Sequence, residues 1–110
     1  MSSNFYKEVR RNVAKNKNTL SEDLDTLAHY NNDKIILMNV AGNENSSEDT
    51  LTYLFNSYHG KDVRGELAVN DSCPEDILKI LSKSKDSYVR AGAQGNLERR
   101  KRNKQQSKGN

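Results

Sequence analysis

Tryptophan is absent from this chain, proline and cysteine occur once each, and aromatic residues make up only 6%. The lone Cys73 excludes an internal disulfide framework and any multi-cysteine metal site. Glycines are scattered singly, so there is no glycine-rich loop to cradle a phosphate. The longest apolar run, Ile35-Ile36-Leu37-Met38, is far short of the roughly 18–20 residues needed to span a bilayer. The N-terminal segment lacks the apolar stretch of a secretory signal, and the expectation is a soluble, cytoplasmic protein without a membrane partner. What remains is polar: 33% hydrophobic, 30% charged, with a mean hydropathy of −1.01. A chain of 110 residues with so few apolar groups predicts one domain whose thin core is shared between small units.

Charge is distributed unevenly. Residues 1–96 carry 12 Lys/Arg against 14 Asp/Glu, and residues 97–110 carry six against one. The net +3 of the whole therefore describes the C-terminal segment more than the rest. The Asn- and Lys-rich composition points to an AT-rich bacterial, phage or plasmid genome.

The sequence is periodic. Val9, Val13, Ala14 and Asn16 recur as Ile36, Val40, Ala41 and Asn43, then as Val63, Leu67, Ala68 and Asn70, and last as Val89, Ala93, Gln94 and Asn96. Behind the first three copies a second block keeps step: Thr19, Ser46 and Cys73, then Leu24, Leu51 and Leu78, then Leu27, Leu54 and Leu81. Each unit reads as two helices. Apolar residues four and five apart make one helical stripe, and the leucines make another. Asp33, Gly60 and Asp86 stand where the later first helices should start. Asn at the end of the first block suits a helix exit in the left-handed conformation. Thr19, Ser46 and Cys73 read as caps of the second helices, with Glu22, Asp49 and Asp76 three residues on, and Pro74 falls at the first helical position. Helices are expected near 4–15, 20–30, 34–42, 47–58, 61–69, 74–83 and 87–97.

A two-helix unit this short cannot bury its apolar face alone, so stacking is required. The expected architecture is all-α, a short right-handed αα solenoid of about three and a half units over residues 1–97. The fourth unit keeps one helix, which covers the end of the third. Residues 98–110 are expected to be a basic tail, either disordered or a frayed extension of that helix.

Over residues 9–97 the pattern resembles the leucine-rich repeat variant, within the wider HEAT and armadillo group; the best copy runs from Val63 and Arg64 through Ala68 and Asn70 to Pro74 and Glu75. The resemblance implies a binding surface, not catalysis, with the second helices lining a concave side. One helical-repeat group excises alkylated bases with buried Trp and acidic residues, but this chain has no Trp.

No catalytic or cofactor site is expected. His29 and His59 occupy non-equivalent positions and lack a partner at ligand spacing, and Cys73 shares its column with Thr19 and Ser46. The Asn column (Asn16, Asn43, Asn70, Asn96) is read as architectural, each Asn bonding to backbone within its own turn. Arg10, Arg64 and Arg90 should form a row, interrupted at Leu37, that pairs with acids such as Asp33, Asp62 or Asp86 or else grips phosphates. On the second helices, Asp25, Asp49, Thr52, Tyr53, Asn56 and Lys79 form the expected docking face for a protein partner. The alternative is a nucleic-acid-associated protein using Arg99, Arg100, Lys101, Arg102 and Lys104 together with that Arg row. A monomer, or a weak dimer through an open end, is expected.

Overall fold

The computed structural model describes residues 3–109, and among them every regular element is a helix. In chain order these are α1 (Ser3–Lys15), α2 (Ser21–Tyr30), α3 (Lys34–Gly42), α4 (Glu48–Ser57), α5 (Lys61–Val69), α6 (Glu75–Leu81) and α7 (Ser87–Gly109). No described helix is long and apolar enough to cross a membrane. The helices follow the periodic pattern closely, with one exception. The last was expected to end near residue 97 and instead runs to Gly109. Its distal half is rich in Arg, Lys and Gln, all good helix formers.

Two layers result. The first helices α1, α3, α5 and α7 pack each upon the next, whereas α2 meets α4 lightly and α4 and α6 scarcely touch. The closer packing lies on the first-helix side, here termed the inner face, and the second helices form the outer one. Glycine allows the closest approach: a Cβ on Gly92 would lie 3.1 Å from Val69 and 3.3 Å from Ala68. Helix α7 lies against both α5 and α6 and closes that end, with Val89 and Ala93 buried.

The core sits between the layers. Leu24, Leu51 and Leu78 are all 0% exposed, as their common register requires, and Ile36, Val40, Leu67 and Ala68 join them. Val9 and Val13 break the pattern at 45% and 39% exposed, because among the described residues no earlier unit covers them.

Helix termini differ from expectation in detail. Thr19 and Ser46 do not cap the second helices. Their hydroxyls donate backwards, to the carbonyls of Val13 (2.6 Å) and Val40 (2.7 Å) at the ends of α1 and α3. The cap of α4 is the next residue, Ser47, whose Oγ accepts from the Thr50 amide at 3.2 Å. Pro74 likewise takes the N-cap position of α6, one residue ahead of the first helical turn. Asp33 and Asp86 do cap α3 and α7, accepting from the amides of Ile35 and Val89. The exit asparagines Asn43 and Asn70 are extended, with φ of −82° and ψ of 122°, and no described non-glycine residue has a positive φ.

Candidate partner-binding site

The repeated asparagines bind across units. Asn43 Nδ2 donates to the carbonyls of Ala14 (2.9 Å) and Asn16 (3.0 Å), Asn70 to Ala41 (2.7 Å) and Asn43 (3.0 Å), and Asn96 to Ala68 and Asn70 (both 3.0 Å). The amide oxygens of Asn43 and Asn70 accept from the backbone of their own turns, at Asn45 and Ser72. Each side chain thus satisfies the open carbonyls at the end of the preceding first helix. Asn43, Asn70 and Asn96 are buried and Asn16, with no earlier unit before it, is exposed. The column is an architectural ladder that closes its own turns, as expected, and also joins neighbouring units. In Asn43, Asn70 and Asn96 both the amide nitrogen and the amide oxygen are engaged within the fold.

The arginine column is also spent on backbone, and it is not a row of ion pairs. Arg64 donates to the carbonyls of Phe55 (3.2 Å) and Tyr58 (3.4 Å) and to His59 Nδ1 (2.9 Å), with its guanidinium 4.3 Å from the Phe55 ring centroid. Arg90 donates to the carbonyls of Ser84 (2.8 Å) and Lys85 (3.4 Å). Arg64 thus neutralises the carboxyl end of α4, whereas Arg90 ties down the turn between α6 and α7. At the position of Leu37, which is buried, Asn31 takes over by donating to the Leu27 carbonyl at 3.0 Å. Arg10 is exposed and makes no such bond, while its neighbour Arg11 pairs with Asp33 at 2.7 Å. That hydrogen bond holds the Asp33 carboxyl below its usual value. Lys34 pairs with Asp62 at 2.6 Å and depresses its carboxyl likewise.

The expected second-helix face is divided. Asp25 Oδ1 accepts from Thr50 Oγ1 at 2.6 Å, and Tyr53 stacks on His29 with centroids 3.8 Å apart and planes at 20°. Two of the six residues therefore tie α2 to α4. Thr52 is half-buried, and Asp49, Asn56 and Lys79 stay in solvent. The face lies on the outer, more loosely packed side of the array, and none of these residues lines a described groove.

The inner face does hold one. Between α3, α5 and the start of α7 lies a cleft of about 310 Å³ lined by Met38, Lys61, Asp62, Gly65, Glu66, Asp86 and Tyr88. Its floor is Gly65, buried, with the Tyr88 ring lying over it and that residue still 76% exposed. Glu66 leans over Gly42: a Cβ there would come within 2.7 Å of its carboxylate oxygen. The carboxylate has no hydrogen-bond or ion-pair partner among the described residues, and burial pushes it above the usual glutamate value. Sequence reasoning named Asp62 and Asp86 only as possible partners of the arginine row and passed over Glu66 and Tyr88. The one available signal was the column itself, where Asn12, Asn39, Glu66 and Gly92 are equivalent. Asn39 donates to the Arg11 carbonyl at 3.0 Å; a glutamate in that place cannot donate and is left facing the cleft.

Cys73 is 1% exposed, and burial pushes its thiol up to about 12. Of the basic segment, Arg100 is anchored. It donates to the carbonyls of Asp71 (2.8 Å) and Cys73 (2.7 Å) and to Asn96 Oδ1 (3.1 Å), while Arg99 meets Asp71 at 3.3 Å. Lys101, Arg102 and Lys104 are exposed. No protein-family model, no curated protein and no solved structure matches this chain.

Proposed function

We propose that the chain is a short αα solenoid of the leucine-rich-repeat-variant and HEAT kind. In this reading it works as a non-enzymatic docking module that receives a basic segment of a partner protein on its inner face. The periodic units, the stacking of the first helices and the asparagine ladder support the architectural part. The observation that carries the functional part is the Glu66 carboxylate. It is partly desolvated and unpaired, at the edge of a cleft that also presents the Met38 side chain and the Tyr88 ring. Keeping an ion there disfavours the free protein, and a lysine or arginine entering the cleft would restore the lost solvation as a charge-assisted hydrogen bond. An exposed aromatic beside it supplies apolar contact and a surface for a cation.

The test is capture from host lysate after nuclease treatment, comparing the parent chain with Glu66→Gln, Tyr88→Ala and the outer-face pair Asp49→Lys/Tyr53→Ala. A protein retained by the parent and by the outer-face variant, but lost at least about tenfold (about 1.4 kcal/mol) with Glu66→Gln or Tyr88→Ala, is the expected result. Retention indifferent to both inner-face changes overturns the reading.

A further inference from the structure

We infer that the distal part of α7 is an arm that binds double-helical DNA through its backbone phosphates, a capacity separate from the inner-face cleft. Arg100 makes the last bonds tying α7 to the body, through the turn at Asp71 and Cys73. From Lys101 the helix continues to Gly109, about 14 Å at the usual rise. Lys101, Arg102 and Lys104 are exposed on it and form no hydrogen bond or ion pair among the described residues. At about 100° per residue they fall within an arc of about 160°, so the arm presents one broad cationic side. The root of the arm is held in place, which a free tail would not be.

The chemistry of the arm selects among polyanions. No apolar residue follows Leu97, so the helix has no face to bury in a bilayer and no anchor to fill a protein pocket. Neutralising a phosphate lattice needs charge alone, with affinity drawn from released counterions. A single helix fits the major groove of B-form DNA, whereas the deep, narrow groove of A-form RNA excludes it. Asp71 and the acidic start of α6, Glu75 and Asp76, lie beside the root and keep a polyanion off the body. Contact is therefore confined to the outward part of the arm. With no aromatic residue in the segment there is no base stacking, and binding is independent of sequence.

The experiment is fluorescence anisotropy of a labelled DNA duplex titrated with the full chain across a salt series. Parallel arms use an RNA duplex of the same length and phosphatidylserine vesicles. With three phosphates neutralised, affinity should fall about 40-fold between 50 and 200 mM salt. The variant K101A/R102A/K104A, whose helical content is checked by circular dichroism, should lose binding and its salt dependence. The charge-keeping K101R/R102K/K104R should bind as the parent does. No binding by the parent at low salt, undiminished binding by the alanine variant, or equal or tighter binding to the RNA duplex or the vesicles overturns the inference.

Discussion

An asparagine repeated four times can mean a ligand ladder or a structural one, and the distinction rests on where its amide hydrogens go. Here both are used on carbonyls of the preceding unit, which makes the value of each asparagine depend on its place in the array. Asn70→Ala removes two cross-unit bonds and the acceptor for the Ser72 amide from a buried site. It should lower unfolding free energy by about 2–4 kcal/mol, as each deserted polar group costs about 1–3 kcal/mol when it stays dry. Asn16→Ala, at an exposed site with no earlier unit to bind, should cost less than about 0.5 kcal/mol. Urea titration of the two variants separates them, and equal losses would contradict the ladder. Glu66 gives the opposite sign. Its value is raised in the fold, so the favourable protonated form prevails at low pH and the penalty appears as pH rises through the raised value. Glu66→Gln should therefore raise the melting temperature at pH 7 and leave it unchanged near pH 3, where both side chains are neutral. The column of asparagines was visible in the sequence. Their partners were not, because a period reports which residues are equivalent and says nothing about which unit a side chain reaches.

Helices were the most legible level, since the stripes that define them belong to one segment at a time. Leu24, Leu51 and Leu78 could be placed in the core from register alone. Their ends were less so. Ser46 and Ser47 are chemically identical caps, and only the path of the chain decides that Ser46 turns back to Val40 while Ser47 closes α4. The far end of α7 was left open between disorder and an extension of the helix for a related reason: lacking apolar residues, it cannot pack, but good helix formers and the Arg100 anchor extend the helix without packing. Two of the α7 glycines, Gly92 and Gly95, have different roles. A Cβ at Gly95 would meet only the Arg99 guanidinium, at 3.8 Å, so Gly95→Ala should stabilise by about 0.5–1 kcal/mol through helix propensity. At Gly92 the same gain is opposed by the 3.1–3.3 Å approach to Val69 and Ala68, which would force α5 and α7 apart. Gly92→Ala should be neutral or destabilising. Thermal melts that show the two alanines equally stabilising would refute the close helix contact.

At the scale of the molecule, each first helix rests on its neighbours in the chain of units, so stability is built from nearest-neighbour interfaces. Helices α3 and α5 have a first helix on both sides. Helix α1 has one on a single side and leaves Val9 and Val13 exposed, and beyond Arg100 the α7 residues Lys101, Arg102 and Lys104 are exposed. The ladder follows the same order, with Asn70 and Asn96 fully enclosed and Asn16 open. Opening should therefore proceed from both ends towards the middle. Amide hydrogen exchange should be slowest in α3 and α5, intermediate in the part of α7 packed on α5 and α6, and faster in α1. It should be fastest from Lys101 onward, where helical bonds are exposed to water all round. The charge layout sharpens the test. The arm's cations repel one another, so added salt should slow exchange there by screening and leave α3 and α5 unaffected. Uniform protection from α1 to residue 109 would mean that the arm and the first helix are covered by contacts the isolated chain does not make, and that the unit-by-unit account of its stability is wrong.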